Sequence, residues 1–233
     1  MGESNVKLVG SWASPFVLRV RLALRLKSVS YEFIEENLLE PRTELLLKLN
    51  PLHKKVPVFI HRGKPIIESQ AIIQYIDEVW PNAPSILPSD APQRADARIW
   101  VSYIDEKLVP ALIVALIAET EDAKRAAIGE LEQVVVTLEG ALRELSKGKR
   151  FFCGDNISYL DIAFGPFFLW IEVIGKYVEV DLLSEAKTPC LLRWAHESFL
   201  SHAAVKDLLP DPEKLAEFAV KLRPILIARF AGK

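Results

Sequence analysis

Apolar side chains recur along this chain with two different periods, and the change falls near position 80. Residues 6–9 form a short apolar run that reads as a strand. Residues 15–27 follow with Phe16, Val17, Val20 and Leu24 at helical spacing, broken by Arg19, Arg21 and Arg25. Residues 31–34 carry aromatic and β-branched side chains and predict a second strand, 43–49 a short helix, and Asn50-Pro51 a turn. Two more apolar strands, 57–61 and 65–67, are joined by Arg62, Gly63 and Lys64, a hairpin with glycine at its turn. A helix over 69–79 then places Ile72, Ile73 and Ile76 on one face. The order predicted for this part is βαβαββα.

Four of the fifteen prolines, Pro81, Pro84, Pro88 and Pro92, crowd the stretch from Trp80 to Pro92, which therefore reads as a linker. The expected division is 1–80, linker 81–92, and 93–233. Beyond the linker no convincing strand pattern occurs. Long helical patterns cover 91–120, 122–146 and 159–176, with shorter ones at 190–198 and 212–219. Ser158 with Asp161 forms a capping-box variant, and Ile157 and Ile162 are available as a hydrophobic staple. That signal is read as structural nucleation of a helix carrying Phe164, Phe167, Phe168 and Trp170. The expected fold class is an α/β domain followed by an all-helical one.

Composition narrows the function classes. Half of the 233 residues are hydrophobic and 26% are charged, as in ordinary globular proteins. A net charge of -2 and a pI near 6.1, without interleaved basic and aromatic residues, give no footprint for nucleic acid. Cys153 and Cys190 are too far apart for a CxxC pair, and the four histidines lack metal-ligand spacing. No metal is expected, and both cysteines are expected to be core thiols. Residues 1–6 carry no basic-then-apolar leader pattern. The longest apolar runs, 109–118 and 164–171, fall short of the roughly 18 residues a membrane span needs. The expectation is a reducing cytosolic or nuclear location with no membrane contact.

Three short segments could carry chemistry. Ser14-Pro15 is an ordinary helix start, since serine caps and proline favours the first turn. Its setting adds to this, because the turn after a first strand opens at the sheet's carboxyl edge, where ligands bind and a helix N-terminus favours anions. A serine hydroxyl there can donate to a thiolate, but serine cannot perform the thiol-disulfide exchange a cysteine would. Glu68-Ser69 lies between a strand and a helix, so Glu68 could receive an ammonium group while Ser69 and its N–H receive a carboxylate. His53-Lys54-Lys55-Val56-Pro57 is a basic turn entering a strand through proline.

Ser14-Pro15-Phe16, Asn50-Pro51-Leu52-His53-Lys54-Lys55-Val56-Pro57-Val58, Ile67-Glu68-Ser69 and Gln74-Tyr75-Ile76-Asp77-Glu78-Val79-Trp80, in that order, resemble the plant tau class of cytosolic glutathione transferases. The resemblance spans the whole chain and implies a thioredoxin-like N-terminal domain, a proline-rich linker and a helical C-terminal domain. It implies that Ser14 donates to the glutathione sulfur and that Glu68 and Ser69 bind the γ-glutamyl end. Val56 would pair its backbone with the cysteinyl part, with Pro57 cis. Lys55 and Arg42 would lie near the glycyl carboxylate, Arg42 being a departure from the lysine more usual there. Arg19 would join an ionic network with Glu68. Phe16, Tyr103, Lys107, Phe167 and Trp170 would line an interdomain cleft for the electrophile.

The implied activity is conjugation of glutathione, as co-substrate, to hydrophobic electrophiles, or reduction of organic hydroperoxides, by a homodimer serving detoxification and stress response. The alternative is a carrier of hydrophobic metabolites such as flavonoids or porphyrins.

Overall fold

The computed structural model describes residues 5–81 and 84–230. Residues 1–4 of the N-terminal segment and 82–83 of the linker lie outside the described residues. The predicted order is realised by β1 (Val6–Gly10), α1 (Pro15–Leu26), β2 (Glu32–Glu35), α2 (Glu44–Leu49), β3 (Val58–His61), β4 (Lys64–Ile67) and α3 (Ser69–Val79). The strands lie in the order β2-β1-β3-β4. β1 runs parallel to β2 and antiparallel to β3, with Leu8 opposite both Phe33 and Phe59. Alternation along β1 sends Val6 and Leu8 into the large core with α1 and α3, whereas Val9 packs with Leu46 of α2 and Val58 on the other face. A sheet covered on both faces explains why its strands read as apolar runs.

Two turns depend on backbone freedom. A Cβ on Gly10 would stand 2.5 Å from Val17 Cγ1, so glycine lets α1 close against the end of β1. In the β3–β4 hairpin Arg62 (φ 51) and Gly63 (φ 76) both adopt left-handed conformations, as a two-residue type I′ turn requires.

The remainder is helical: α4 (Ala91–Tyr103), α5 (Val109–Ile117), α6 (Glu121–Ser146), α7 (Tyr159–Tyr177), α8 (Pro189–Arg193) and α9 (Pro212–Phe230). The single helix expected over 91–120 contains a π-helical stretch, Ile104–Leu108, and ends at Ile117. α8 likewise runs into a π-helical stretch, Trp194–Phe199. The helix expected to stop near 219 continues to Phe230 with Pro224 inside it. Arg223 beside that proline donates to the Leu116 carbonyl at 2.9 Å and the Ala118 carbonyl at 3.4 Å, so contact with the end of α5 overrides the helix-breaking preference. No described helix is long and apolar enough to cross a membrane.

α7 is buried along almost its whole length and packs against α1, α4, α5 and α9, so one core joins the two parts. Its start is fixed by the capping box. Fully buried Asp161 accepts from the Ser158 N–H (2.9 Å), the Phe152 N–H (3.1 Å) and Trp194 Nε1 (2.8 Å). The linker is irregular yet anchored. Lys27 Nζ sits 2.7 Å from Asp77 Oδ1 and donates to the Pro84 carbonyl at 2.9 Å, while Asp77 also accepts from the Ile86 and Leu87 N–H groups. Pro92 belongs to the first turn of α4, capped by Asp90.

Candidate active site

Ser14 caps α1 from an extended conformation, and its Oγ accepts from the Val17 N–H at 3.4 Å. Capping uses a lone pair of the oxygen and leaves the O–H proton available to another acceptor. The preceding residue is tied to the helical part, since Trp170 Nε1 of α7 donates to the Ala13 carbonyl at 3.1 Å.

Two cavities share Phe16 of α1, and Ser14 lines the second of them. The first, of ≈ 290 Å³, mixes polar and apolar surface, is the polar cleft by contrast with the second, and is lined by Phe16, Asn50, His53, Lys55, Val56, Pro57, Glu68, Ser69 and Asp105. Asn50 shapes its rim: its amide donates to the Lys55 carbonyl at 2.9 Å and accepts from the His53 N–H at 3.0 Å. The Val56-Pro57 peptide is cis. Glu68, at φ 69, turns the chain from β4 into α3 and holds its carboxylate 3.6 Å from His53 Nε2. Ser69 begins α3 and is buried. An amino group and a carboxylate can therefore be received side by side at this helix N-terminus.

Arg19 lies behind the cleft with its side chain entirely buried. Its guanidinium meets Asp105 at 2.6 and 3.2 Å, Ser69 Oγ at 3.2 Å and the Ala163 carbonyl at 2.8 Å. Gln70 Nε2 donates to the same Asp105 at 2.7 Å. The expected pairing of Arg19 with Glu68 is thus corrected: the partner is Asp105, from the π-helical stretch, and Glu68 faces His53 instead. A fully buried arginine needs a counter-charge largely withdrawn from water, and Asp105, 25% exposed, meets that better than Glu68 at 63%.

The second cavity, ≈ 180 Å³, is almost wholly apolar. Ser14 and Phe16 form its floor, Leu38 of the β2–α2 loop its edge, and side chains of α5, α7 and α9 its walls. Phe16 and Phe167 meet edge-to-face at 5.4 Å, and the Arg19 guanidinium lies 5.0 Å from the centre of each ring. Phe16 borders both cavities, so one ring separates the polar cleft from the apolar one.

The structure brings Lys55, Val56, Pro57, Glu68 and Ser69 into the first cavity and Ser14, Phe16, Phe167 and Trp170 into the second. Three expected residues stand apart. Tyr103 packs on Trp100 at 5.5 Å, and Lys107 is exposed. The π-helical stretch adds a residue to one turn and rotates the following face, so Val109, Leu112, Ile113 and Leu116 line the cavity in their place. Arg42 does not reach the polar cleft. It folds onto its own loop, 3.4 Å from the carbonyls of Leu38 and Glu40.

Asp105 and Asn50 were not singled out by spacing. Asp105 has no basic residue three or four positions away, the one sign that its partner lies elsewhere. Cys153 and Cys190 are half-buried thiols packed against the large core, with no disulfide between them, and burial raises the Cys153 thiol above its ordinary pKa. Among the described residues no cluster of histidine, cysteine and carboxylate side chains could hold a metal ion.

Comparison with known proteins agrees with this arrangement. Residues 4–78 match the glutathione S-transferase N-terminal domain and residues 121–197 the glutathione S-transferase C-terminal domain. The chain belongs to the glutathione S-transferase family. It is 53% identical to glutathione S-transferase U17 of Arabidopsis thaliana over 96% of this chain and 98% of that protein. The tau class glutathione S-transferase of mango, Mangifera indica, superposes with a TM-score of 0.91 at 51% identity, covering 95% of this chain and 100% of that one. A rice enzyme, OsGSTU1, solved in complex with glutathione, superposes with a TM-score of 0.85 at 33% identity over 95% and 99% of the two chains. Within the family, the chain is of the tau class.

Proposed function

We propose that this glutathione transferase binds glutathione in the polar cleft and transfers its thiolate to hydrophobic electrophiles held in the apolar cavity. The observation that carries the reading is the sharing of Phe16 by the two cavities: Ser14, whose hydroxyl lies at the helix N-terminus two residues earlier, lines the apolar cavity beside that ring. In this reading Glu68 and Ser69 take the γ-glutamyl group, the Val56 backbone the cysteinyl part and Lys55 the glycyl carboxylate. Arg19 acts indirectly, holding Ser69 and the Phe16–Phe167 pair. Residues 1–80 form the glutathione-binding domain, 81–92 the linker and 93–233 the electrophile-binding domain.

The energetics are adequate. Lowering a thiol from pKa about 8.5 by about two units needs roughly 2.7 kcal/mol of preference for the thiolate. A hydrogen bond to a charged group contributes about 1.5–3 kcal/mol and a helix terminus about 0.3–1 kcal/mol. Positioning beside the electrophile and this thiolate stabilisation together supply the catalysis, and neither calls on a metal. The same thiolate can attack an organic hydroperoxide, breaking the O–O bond to release the alcohol and leave a glutathione sulfenic acid, which a second glutathione converts to the disulfide and water; peroxidase activity is therefore part of the proposal.

Turnover of chloro-dinitrobenzene with glutathione, together with the pKa of the bound thiol from its ultraviolet absorbance, tests the reading. A thiol pKa unchanged on binding would overturn it. The apolar lining also favours a second reading, carriage of hydrophobic metabolites, for which tight binding with negligible turnover would be the signature. A homodimer in the cytosol completes the proposal. Leu52 and Ile99, 73% and 64% exposed, are large apolar side chains available to a second copy, and light scattering reads the mass.

A further inference from the structure

We propose that Arg42 and Arg229 form a carboxylate subsite at the mouth of the apolar cavity, selecting amphipathic acids whose apolar body fills the cavity. The inference rests on the reading of that cavity as the electrophile site. Leu38, on the edge of the cavity, belongs to the loop whose carbonyls hold the Arg42 guanidinium. From the opposite side, Leu222 and Leu226 of α9 reach into the cavity, and Arg229 follows Leu226 by three residues, on the same face of the helix. The two arginines therefore stand on the two elements that border one opening.

Among the described residues neither forms an ion pair. Glu36 is the carboxylate nearest in effect to Arg42, but its oxygens accept from the Thr43 N–H at 3.0 Å and the Thr43 hydroxyl at 2.7 Å and form no ion pair with Arg42. Burial, and then the positive charge of Arg229, hold the Arg42 guanidinium below its ordinary pKa against the pull of Glu36. A half-buried cation facing a second cation is relieved by an anion placed between them. Guanidinium groups are suited to a planar carboxylate.

The cavity, ≈ 180 Å³, is close to the volume of about 150 Å³ that accommodates a benzene ring. An aryl- or alkyl-carboxylate would seat its apolar part against Phe16, Phe167 and Trp170 and leave its charge at the arginines. This separates Arg42 from the glycyl carboxylate of glutathione, whose cleft it does not line.

The test compares phenylbutanoate with uncharged phenylbutanol as inhibitors of chloro-dinitrobenzene turnover by the full chain. The acid is expected to bind several-fold more tightly than the alcohol, by a margin that shrinks as salt is raised. Arg229→Gln and Arg42→Gln are each expected to weaken the acid about fivefold, the upper range for one partly exposed ion pair, and to leave the alcohol unchanged. Arg229→Lys should restore part of the acid's advantage. Equal inhibition by acid and alcohol in the unmodified protein, or acid inhibition indifferent to both substitutions, would overturn the subsite. If neither compound competes with the electrophile while conjugation proceeds, the reading of the cavity fails and the subsite fails with it.

Discussion

Removing the Asp105 carboxylate should be felt in both stability and glutathione affinity. Arg19 has no exposed side-chain surface, and Asp105, one quarter exposed, is its only carboxylate partner among the described residues. Deleting one member of a buried ion pair costs about 3–5 kcal/mol because the other charge stays buried and uncompensated. Ser69 Oγ and the Ala163 carbonyl remain as acceptors, and water can reach the vacated site, so Asp105→Ala should fall at the lower end, about 3 kcal/mol. For a chain of this size each kcal/mol moves the melting temperature by about 2–4 °C, so calorimetry should show a drop of about 6–12 °C. The same guanidinium holds Ser69 in the cleft, so the KM for glutathione should rise more than the KM for the electrophile. Asp105→Asn, keeping shape and hydrogen bonding, should lie between. A melting point within about 1 °C of the parent, with unchanged glutathione KM, would refute the assignment of Asp105 as the counter-charge of Arg19.

Four further outcomes can be measured. Ser14→Ala should lose most conjugating turnover and raise the bound thiol pKa while retaining glutathione binding, and a turnover loss below about threefold would sink a hydrogen bond of the assumed strength. Gly165→Ala would set a Cβ 2.0 Å from Phe199 Cζ, beneath the ring stacked on Trp194, and should cost about 3 kcal/mol in a urea titration. Asp161→Ala, leaving the buried Phe152 N–H and Trp194 Nε1 without an acceptor, should cost at least about 2–3 kcal/mol and slow recovery of soluble protein. Burial alone would raise the Asp77 carboxyl, but hydrogen bonds from Ile86, Lys27 and Leu87 with the Lys27 charge hold it below its ordinary value. Its contribution is therefore complete above the ordinary carboxylate range and fades as pH falls through the lowered value. Acid unfolding curves of the parent and Asp77→Asn should accordingly be fully separated above the ordinary carboxylate range and converge as pH falls from about 4 through the lowered native value.

Local signals specify much of the architecture. Runs of apolar residues, the glycine at the hairpin and the Ser158–Asp161 box act within a few residues of themselves, and the structure follows them. The resemblance also implied the cis Val56-Pro57 bond that is observed. The departures have a common physical origin in contacts between distant segments. Pro224 reads locally as a helix end, but Arg223 binds carbonyls more than a hundred residues earlier and the helix continues. Arg19 reads as a surface arginine by residue type alone, although Phe16, Leu22 and Ala23, its neighbours at helical spacing, are apolar. Its burial is decided by α7 and by Asp105, 86 residues away. The π-helical turn, which moves the wall of the apolar cavity from Tyr103 and Lys107 to Val109 and its followers, leaves no mark in residue type.

The partition formed by Phe16 has a consequence for how such a protein can change over time. The proposed glutathione cleft draws on one short span of the chain, Asn50 to Ser69, with few contributors from elsewhere, whereas the apolar cavity is walled by α5, α7 and α9. On the proposed function, substitutions at Leu222 or Leu226 would therefore retune which electrophile is accepted while the co-substrate continues to bind as before. Changes at Phe16 enjoy no such independence, because every alteration of that ring is read by both cavities at once. Diversification within a gene family built on this plan should accordingly concentrate on the helical walls and spare the ring between them.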